Sequence, residues 1–471
     1  MSFFDSFTMT IGGKAVSSSE TIDVINPATE EIVAKAPDCS EKQLDDAVAA
    51  ARAAFPGWRA TPIEERRRAV ARIGEVLTEH QADFARLFTL EQGRPLDGAA
   101  QEIAFAAYWA NEVSKQDIPV TVTEDSASKR SETRHVPLGV VAGIVPWNFP
   151  VNLAVWKIAP ALLTGNTLVL KPSPFTPLTM LKLAELLREH LPPGVFNVIS
   201  GGDRLGPWLT AHEGIDKISF TGSTATGKRV METASKGLKR VTLELGGNDA
   251  AIVMPDVALD EVADKLFFSA FANSGQICIA TKRMYVHEDV YDKVADALVA
   301  RARAAKVGDG LDQGSNFGPI QNRPQFERVK NLIEDAKQQG LRFLAGGDVP
   351  EGTGFFVPLA IVDNPPEDSR VVQEEAFGPV LPLLKFRDID EVVARANACE
   401  YGLGGSIWSA DTEAAADIAS RLETGTVWIN DTLYIMPWTP FAGHKQSGIG
   451  VENGKEGLLE FTVPQTITIA K

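Results

Sequence analysis

A thiol, a carboxylate and an amide stand out in this sequence as groups that could carry out chemistry. Cys278 lies in Asn273-Ser274-Gly275-Gln276-Ile277-Cys278-Ile279. A thiol is the best side-chain nucleophile, because even an unperturbed one, with a pKa of about 8.5, is a few per cent thiolate near neutrality. Isoleucine on both sides equally suits a small hydrophobe buried in a core. Glu244 lies in Thr242-Leu243-Glu244-Leu245-Gly246-Gly247, a lone carboxylate in an apolar stretch. Burial raises a carboxyl pKa and makes it a candidate base, and a partnered structural ion is the other reading. Asn148, between Trp147 and Phe149, is either a satisfied core amide or a donor to a developing oxyanion. Glu374 and Glu375, ahead of Ala376-Phe377-Gly378-Pro379, suit sugar hydroxyls or a solvated loop.

Residues 222–228 resemble a phosphate-binding loop, but Arg229 stands where Ser or Thr would hold magnesium, so an ATPase is a weak reading. A small-residue turn between strand and helix still presents free N–H groups and a helix dipole to an anion. An ordinary tight turn has the same spacing. No Gly-x-Gly-x-x-Gly fingerprint occurs here.

The elements that must position these groups follow from periodicity. Ser40 with Gln43, and Thr61-Pro62 with Glu64, each read as a capping box opening a helix. Apolar residues recur at helical spacing after both, from Leu44 to Phe55 and from Val70 to Leu87. From about Val140, short apolar runs at 140–145, 167–170, 195–199 and 218–220 alternate with helix-compatible segments. Fully apolar strands alternating with helices indicate an α/β fold with a doubly wound parallel sheet. Ligands of such sheets sit at the carboxyl ends of the strands, which here carry Pro146-Trp147-Asn148, Lys171-Pro172-Ser173, Gly201-Gly202 and Thr221-Gly222-Ser223. A second α/β series runs from about Ala250 to Asn430. Residues 119–123 and 461–469 alternate like edge strands of the kind that pair between subunits.

The chain has 471 residues, enough for two or more domains, with 44% hydrophobic and 23% charged residues. A net charge of −16 argues against nucleic acid and anionic membranes as partners. Three widely spaced cysteines are no disulfide framework and suit a reducing, cytoplasmic setting. Neither a Cys-x-x-Cys nor a His-Glu-x-x-His pattern occurs, so no metal site is expected. Residues 1–13 lack the regions of a signal peptide. The most apolar region, 140–170, is interrupted by prolines, Asn148 and Lys157 and reads as buried core rather than a span.

Seven motifs in order together resemble the aldehyde dehydrogenase superfamily over nearly the whole chain. They are Pro146-Trp147-Asn148-Phe149-Pro150, Lys171-Pro172-Ser173, Phe220-Thr221-Gly222-Ser223-Thr224, Leu243-Glu244-Leu245-Gly246-Gly247, Gly275-Gln276-Ile277-Cys278, Glu375-Ala376-Phe377-Gly378-Pro379 and residues 440–448. The resemblance implies an NAD(P)-binding domain (1–116 and 138–246), a catalytic domain (247–445) and a small β oligomerisation arm (117–137 and 456–471) of a homodimer or homotetramer. It implies that Cys278 is the nucleophile, that Asn148 and the Cys278 N–H form the oxyanion hole, and that Glu244 is the general base. It assigns Glu375 to the nicotinamide-side ribose, Lys171 to the adenine-side ribose, Ser223 and Gly222 to the pyrophosphate, and Trp147 and Phe377 to the nicotinamide end. Ile144, Pro146, Ser173, Pro174, Phe220, Leu245 and Gly246 complete the implied cofactor site. Phe149, Leu153, Trp156, Ile277, Ile279, Tyr434, Trp438 and Phe441 are the implied substrate contacts.

Two details refine the expectation. Pro174 follows Lys171-Pro172-Ser173 where many NAD-preferring relatives carry a glutamate, so NAD is favoured with NADP also admitted. The segment 431–439 has aromatics, a methionine, one acid and neither Arg nor Lys, which fits an uncharged aliphatic or aromatic aldehyde. A glutamate at 244 directs the thioester to water. Coenzyme A-acylating and semialdehyde-specific enzymes are the alternatives, and a catalytically silent relative is disfavoured by the intact Cys278, Glu244 and Asn148.

Overall fold

The computed structural model describes residues 3–471. The helix Glu41–Ala60 begins at the expected capping box, with Ser40 Oγ accepting from the Gln43 N–H at 3.3 Å and the Ser40 N–H donating to Gln43 Oε1 at 3.0 Å. Its apolar stripe, Leu44, Ala47, Val48 and Ala51, is fully buried. The second box does not form. Pro62 occupies the N-cap of Ile63–Glu79 with no side-chain hydrogen bond. The Thr61 hydroxyl instead donates back to the Gly57 carbonyl at 3.0 Å, because Thr61 is also the C-cap of the preceding helix.

The first large sheet is built on five parallel strands in the order Phe196–Val198, Thr167–Lys171, Val140–Ile144, Lys217–Thr221 and Arg240–Glu244. The first four strands are buried from end to end, which is why their sequences are runs rather than alternations. Met9–Ile11 extends one side and Gly448–Ile449 the other, both antiparallel. Val140–Ile144, the earliest of the five, lies in the middle. The order therefore reverses between it and Lys217–Thr221, and a crevice opens at their carboxyl ends.

The second sheet runs Ala360–Asp363, Val380–Phe386, Thr281–His287, Asp249–Val253, Gly404–Trp408, Thr426–Ile429, all parallel, with Phe343–Ala345 antiparallel at one edge. The chain passes from Glu244, the last residue of the first sheet, to Asp249, the first of the second, in four residues. Carboxyl ends of one sheet thus face amino ends of the other. Val120–Asp125, Lys129–Pro137 and Thr462–Ala470 form a separate three-stranded antiparallel sheet. Its edge strand Val120–Asp125 is exposed along its whole length. No helix among the described residues is long and apolar enough to cross a membrane.

Candidate active site

Cys278 is presented by an unusual turn. Asn273, Ser274 and Gly275 have φ of +50°, +54° and +73°, three consecutive left-handed residues just after the helix Leu259–Phe271. For non-glycine residues this conformation costs on the order of 1–3 kcal/mol each and needs outside support. Ser274 Oγ donates to the Gly318 carbonyl at 2.8 Å, and Gln276 is held at both ends of its amide, donating to the Asn273 carbonyl at 2.9 Å and accepting from the Gln321 N–H at 2.8 Å. A Cβ on Gly275 would lie 2.2 Å from the Gly378 carbonyl oxygen, so only glycine lets this turn pack against the loop carrying Glu375 and Phe377. Burial pushes the Cys278 thiol up to about 12, with Asp249, Glu375 and Glu244 adding to the effect and Lys282 opposing it.

Asn148 follows the central strand of the first sheet and is buried. Its Nδ2 donates to the Gln276 carbonyl at 3.0 Å. Arg94 fixes its main chain, with Nη2 donating to the Asn148 carbonyl at 2.6 Å, Nε to Asn273 Oδ1 at 3.1 Å and Nη1 to Glu102 Oε2 at 2.7 Å. The guanidinium also lies 4.2 Å from the centroid of the Phe149 ring. The other Glu102 oxygen accepts from the N–H groups of Val151 and Asn152, at the start of the helix Asn152–Leu163. Arg94 and Glu102 are both buried, and together they tie the Asn148 segment to the Cys278 turn.

Glu244 ends the strand Arg240–Glu244 and is 4% exposed, and neither carboxylate oxygen has a hydrogen-bond partner. The partnered structural ion considered from sequence is therefore not what the fold contains. Burial raises its pKa well above the usual carboxylate range, with Glu452 adding to this and Lys157 opposing it. Lys157 and Glu452 form a fully buried ion pair at 2.6 Å, and Lys157 also donates to Thr221 Oγ1 at 2.8 Å.

Asn148, Glu244 and Cys278 line one cavity of about 600 Å³. Phe149, Leu153, Trp156, Ile277, Ile279 and Phe441 line it as well. Tyr434 and Trp438 do not: both are more than half exposed, and Trp438 packs edge-on against Tyr108. The neighbouring Leu433 and Ile435 take their place. Leu433 has φ +55°, and this left-handed residue turns the loop so that the side chains on either side of Tyr434 face inward. Sequence reasoning also missed Phe105, Trp109, Phe268 and Phe317 in the wall, which come from helices and a loop distant from every motif.

The residues expected to hold a dinucleotide gather at the crevice of the first sheet. Ile144, Lys171 and Thr221 end adjacent strands, with Pro146 and Trp147 just beyond. Ser223 caps the helix Thr224–Ser235, accepting from the Thr226 N–H at 3.3 Å. That leaves the other first-turn N–H groups for an anion. A Cβ on Gly222 would meet the Phe220 ring at 2.5 Å, and one on Gly227 would meet Leu245 at 2.5 Å, so small residues keep the turn tight to the sheet. Lys171 is buried beside Ser173 and Pro174, its ammonium donating only to the Pro172 carbonyl at 3.3 Å. Burial lowers its pKa to about 8, with Asp203 and Asp38 opposing. Across the crevice, Trp147 and Phe377 meet edge to face at 5.3 Å. Glu375 reaches over Gly246, where a Cβ would lie 2.5 Å from its Oε2, and accepts the Gly247 N–H on Oε1 at 3.0 Å. A helix N-terminus, a buried ammonium without a carboxylate partner and a reaching carboxylate fit a phosphate-linked dinucleotide with ribose hydroxyls at both ends. No cluster of potential metal ligands occurs among the described residues.

Comparison with known proteins points to one family. The model of the aldehyde dehydrogenase family matches residues 15–467. A phenylacetaldehyde dehydrogenase of Pseudomonas fluorescens is 40% identical over 480 residues, covering 98% of this chain and 95% of that protein. The NAD+ complex of an aldehyde dehydrogenase from Bacillus cereus is similar with a TM-score of 0.96 at 37% identity, covering 99% of this chain and 97% of that one. An E. coli enzyme described as NADP dependent is similar with a TM-score of 0.96 at 37% identity, covering 100% and 99%.

Proposed function

Because the chain belongs to the aldehyde dehydrogenase family, and is thus an oxidoreductase acting on aldehydes with NAD(P), we propose that it oxidises an uncharged aldehyde to the free carboxylic acid through a thioester on Cys278. The observation that carries this reading is the meeting of Cys278, Asn148 and an unpartnered Glu244 in one largely apolar cavity.

An aldehyde has no leaving group, so a tetrahedral adduct must form before hydride can depart. Cys278 Sγ, its proton given up to solvent, adds to the carbonyl carbon as the C=O π bond opens, and gives a thiohemiacetal oxyanion. Asn148 holds the oxyanion with the Cys278 N–H, an interaction worth about 3 kcal/mol by analogy with other oxyanion holes. NAD(P), when bound, would supply the acceptor for the hydride whose loss converts this adduct to the thioester. Glu244, once ionised, takes a proton from the water that hydrolyses the thioester. Glu375 and Lys171 hold the two riboses, and the first turn of Thr224–Ser235 takes the pyrophosphate. Pro174 puts no carboxylate beside Lys171, which supports use of both NAD and NADP, with NAD favoured. Arg94 is the only Lys or Arg among the described residues lining the cavity, and its Nε, Nη1 and Nη2 are all engaged within the protein, which supports a substrate without a carboxylate.

We assign residues 1–116 and 138–246 to the cofactor domain, 247–445 to the catalytic domain, and 117–137 with 456–471 to an arm joining subunits of a dimer or tetramer. The exposed edge Val120–Asp125 supports the last assignment. Three free cysteines support a reducing cytoplasmic setting. An aldehyde panel run with NAD and with NADP, following reduced-cofactor absorbance, tests the function. Unchanged turnover in Cys278→Ala would sink the mechanism.

A further inference from the structure

Lys282 is the second residue of the strand Thr281–His287, four positions beyond the nucleophile, and its side chain is 5% exposed. Its ammonium donates to the Cys278 main-chain carbonyl at 2.5 Å and to the Ala280 carbonyl at 3.4 Å, and stands 3.4 Å from Glu375 Oε1. Two carbonyls thus accept from the ammonium and the Glu375 carboxylate stands beside it as the counter-charge a buried ammonium requires. The junction it fills is too tight for side chains. A Cβ on Gly247 would lie 2.7 Å from the Cys278 carbonyl oxygen, one on Gly246 2.5 Å from Glu375 Oε2, and one on Gly275 2.2 Å from the Gly378 carbonyl oxygen. Three segments from distant parts of the chain meet there, and Lys282 hydrogen-bonds to the Cys278 segment and ion-pairs with the one carrying Glu375.

We propose that Lys282 is a positioning residue that locks the Cys278 main chain to Glu375, so that the nucleophile and the cofactor-facing carboxylate are held in one fixed register. The proposal rests on the reading of Cys278 as nucleophile and Glu375 as ribose ligand. Charge gives it a second consequence. Asp249, Glu375 and Glu244 all act on the Cys278 thiol so as to retain its proton, and Lys282 is the one cation acting the other way. A purely structural lysine that only closed its own turn would affect neither the thiol nor the cofactor.

The test uses the full chain with Lys282→Met and Lys282→Arg. Alkylation of Cys278 by iodoacetamide is followed from pH 7 to 10 without cofactor, with Cys278→Ala as blank. NAD affinity is read by tryptophan fluorescence and folding by melting. Lys282→Met is expected to alkylate about tenfold more slowly at each pH, one pKa unit, and to bind NAD more weakly. Lys282→Arg, which keeps the charge, should recover most of the alkylation rate. If Lys282→Met fails to fold, Lys282→Gln, which keeps a donor for the Cys278 carbonyl, is read in the same way. A folded variant that alkylates and binds NAD like the parent overturns the proposal. Slower alkylation with unchanged NAD affinity overturns it too, because the lock to Glu375 would then be idle. Turnover surviving in Cys278→Ala would instead remove the reading beneath it.

Discussion

The side-chain amide of Asn148 donates to the main-chain carbonyl of Gln276 at 3.0 Å, two residues ahead of Cys278. One N–H of the amide is thereby spent on holding the nucleophile's turn, and the other remains for an oxyanion. Asn148→Ala should lower kcat/KM by about 10²–10³-fold. Stability should fall by at most about 1–3 kcal/mol, because the Gln276 carbonyl would keep only the longer bond from Asn273 Nδ2 at 3.4 Å. Steady-state kinetics beside a urea melt separate the two effects. Loss of activity in step with loss of fold would count against the oxyanion role.

Arg94 supports the same asparagine from behind. Removing it leaves the Glu102 carboxylate buried without its counter-charge, and breaking such a pair costs about 3–5 kcal/mol. Arg94→Met is therefore expected to melt several degrees lower and to lose kcat, because the Asn148 carbonyl loses its 2.6 Å donor. Arg94→Met with Glu102→Gln removes both charges, keeps an oxygen for the Val151 and Asn152 N–H groups, and should regain much of the stability while kcat stays low. A double variant with restored turnover would show that Arg94 matters only for folding.

Much of this site was legible in the sequence because its motifs are local. Glycines 222, 246, 247 and 275 sit where a Cβ would strike a ring, a carboxylate or a backbone carbonyl, and such positions punctuate the sequence. The strands were legible as apolar runs because both sheet faces are covered. What could not be read were partnerships across long separations. Lys157 and Glu452 are 295 residues apart, and each alone looks like an ordinary charge in a helix or turn. Arg94 and Glu102 belong to none of the motifs, and only their mutual burial shows them as a pair. Tyr434 and Trp438 were expected in the tunnel because the resemblance puts their loop there, but Leu433 and Ile435 line the cavity instead.

The proposed preference for uncharged substrates rests on the cavity wall. Asp97, Glu102, Glu244 and Glu452 line it, and Arg94 is fully engaged. Benzaldehyde and medium-chain aldehydes should exceed succinic semialdehyde in kcat/KM by at least about tenfold. A carboxylate entering here must lose water without gaining a free cation. Succinic semialdehyde winning that comparison would refute the assignment to uncharged substrates.

With Lys171 at the adenine-side ribose, as proposed, cofactor binding should depend on pH in a way that differs between NAD and NADP. Its ammonium is buried, and its pKa is lowered to about 8, so the charged form dominates below that value and is lost above it. A 2′-phosphate on the adenine-side ribose would lean on this charge, whereas a 2′-hydroxyl needs only a hydrogen bond. NADP affinity should therefore fall by up to about tenfold per pH unit above 8, and NAD affinity more gently. Lys171→Met should flatten the NADP curve and weaken NADP more than NAD at pH 7. Titrations of tryptophan fluorescence between pH 6.5 and 9.5 with each cofactor would measure both. Parallel curves for the two cofactors in the parent protein would remove Lys171 from the adenine-side ribose.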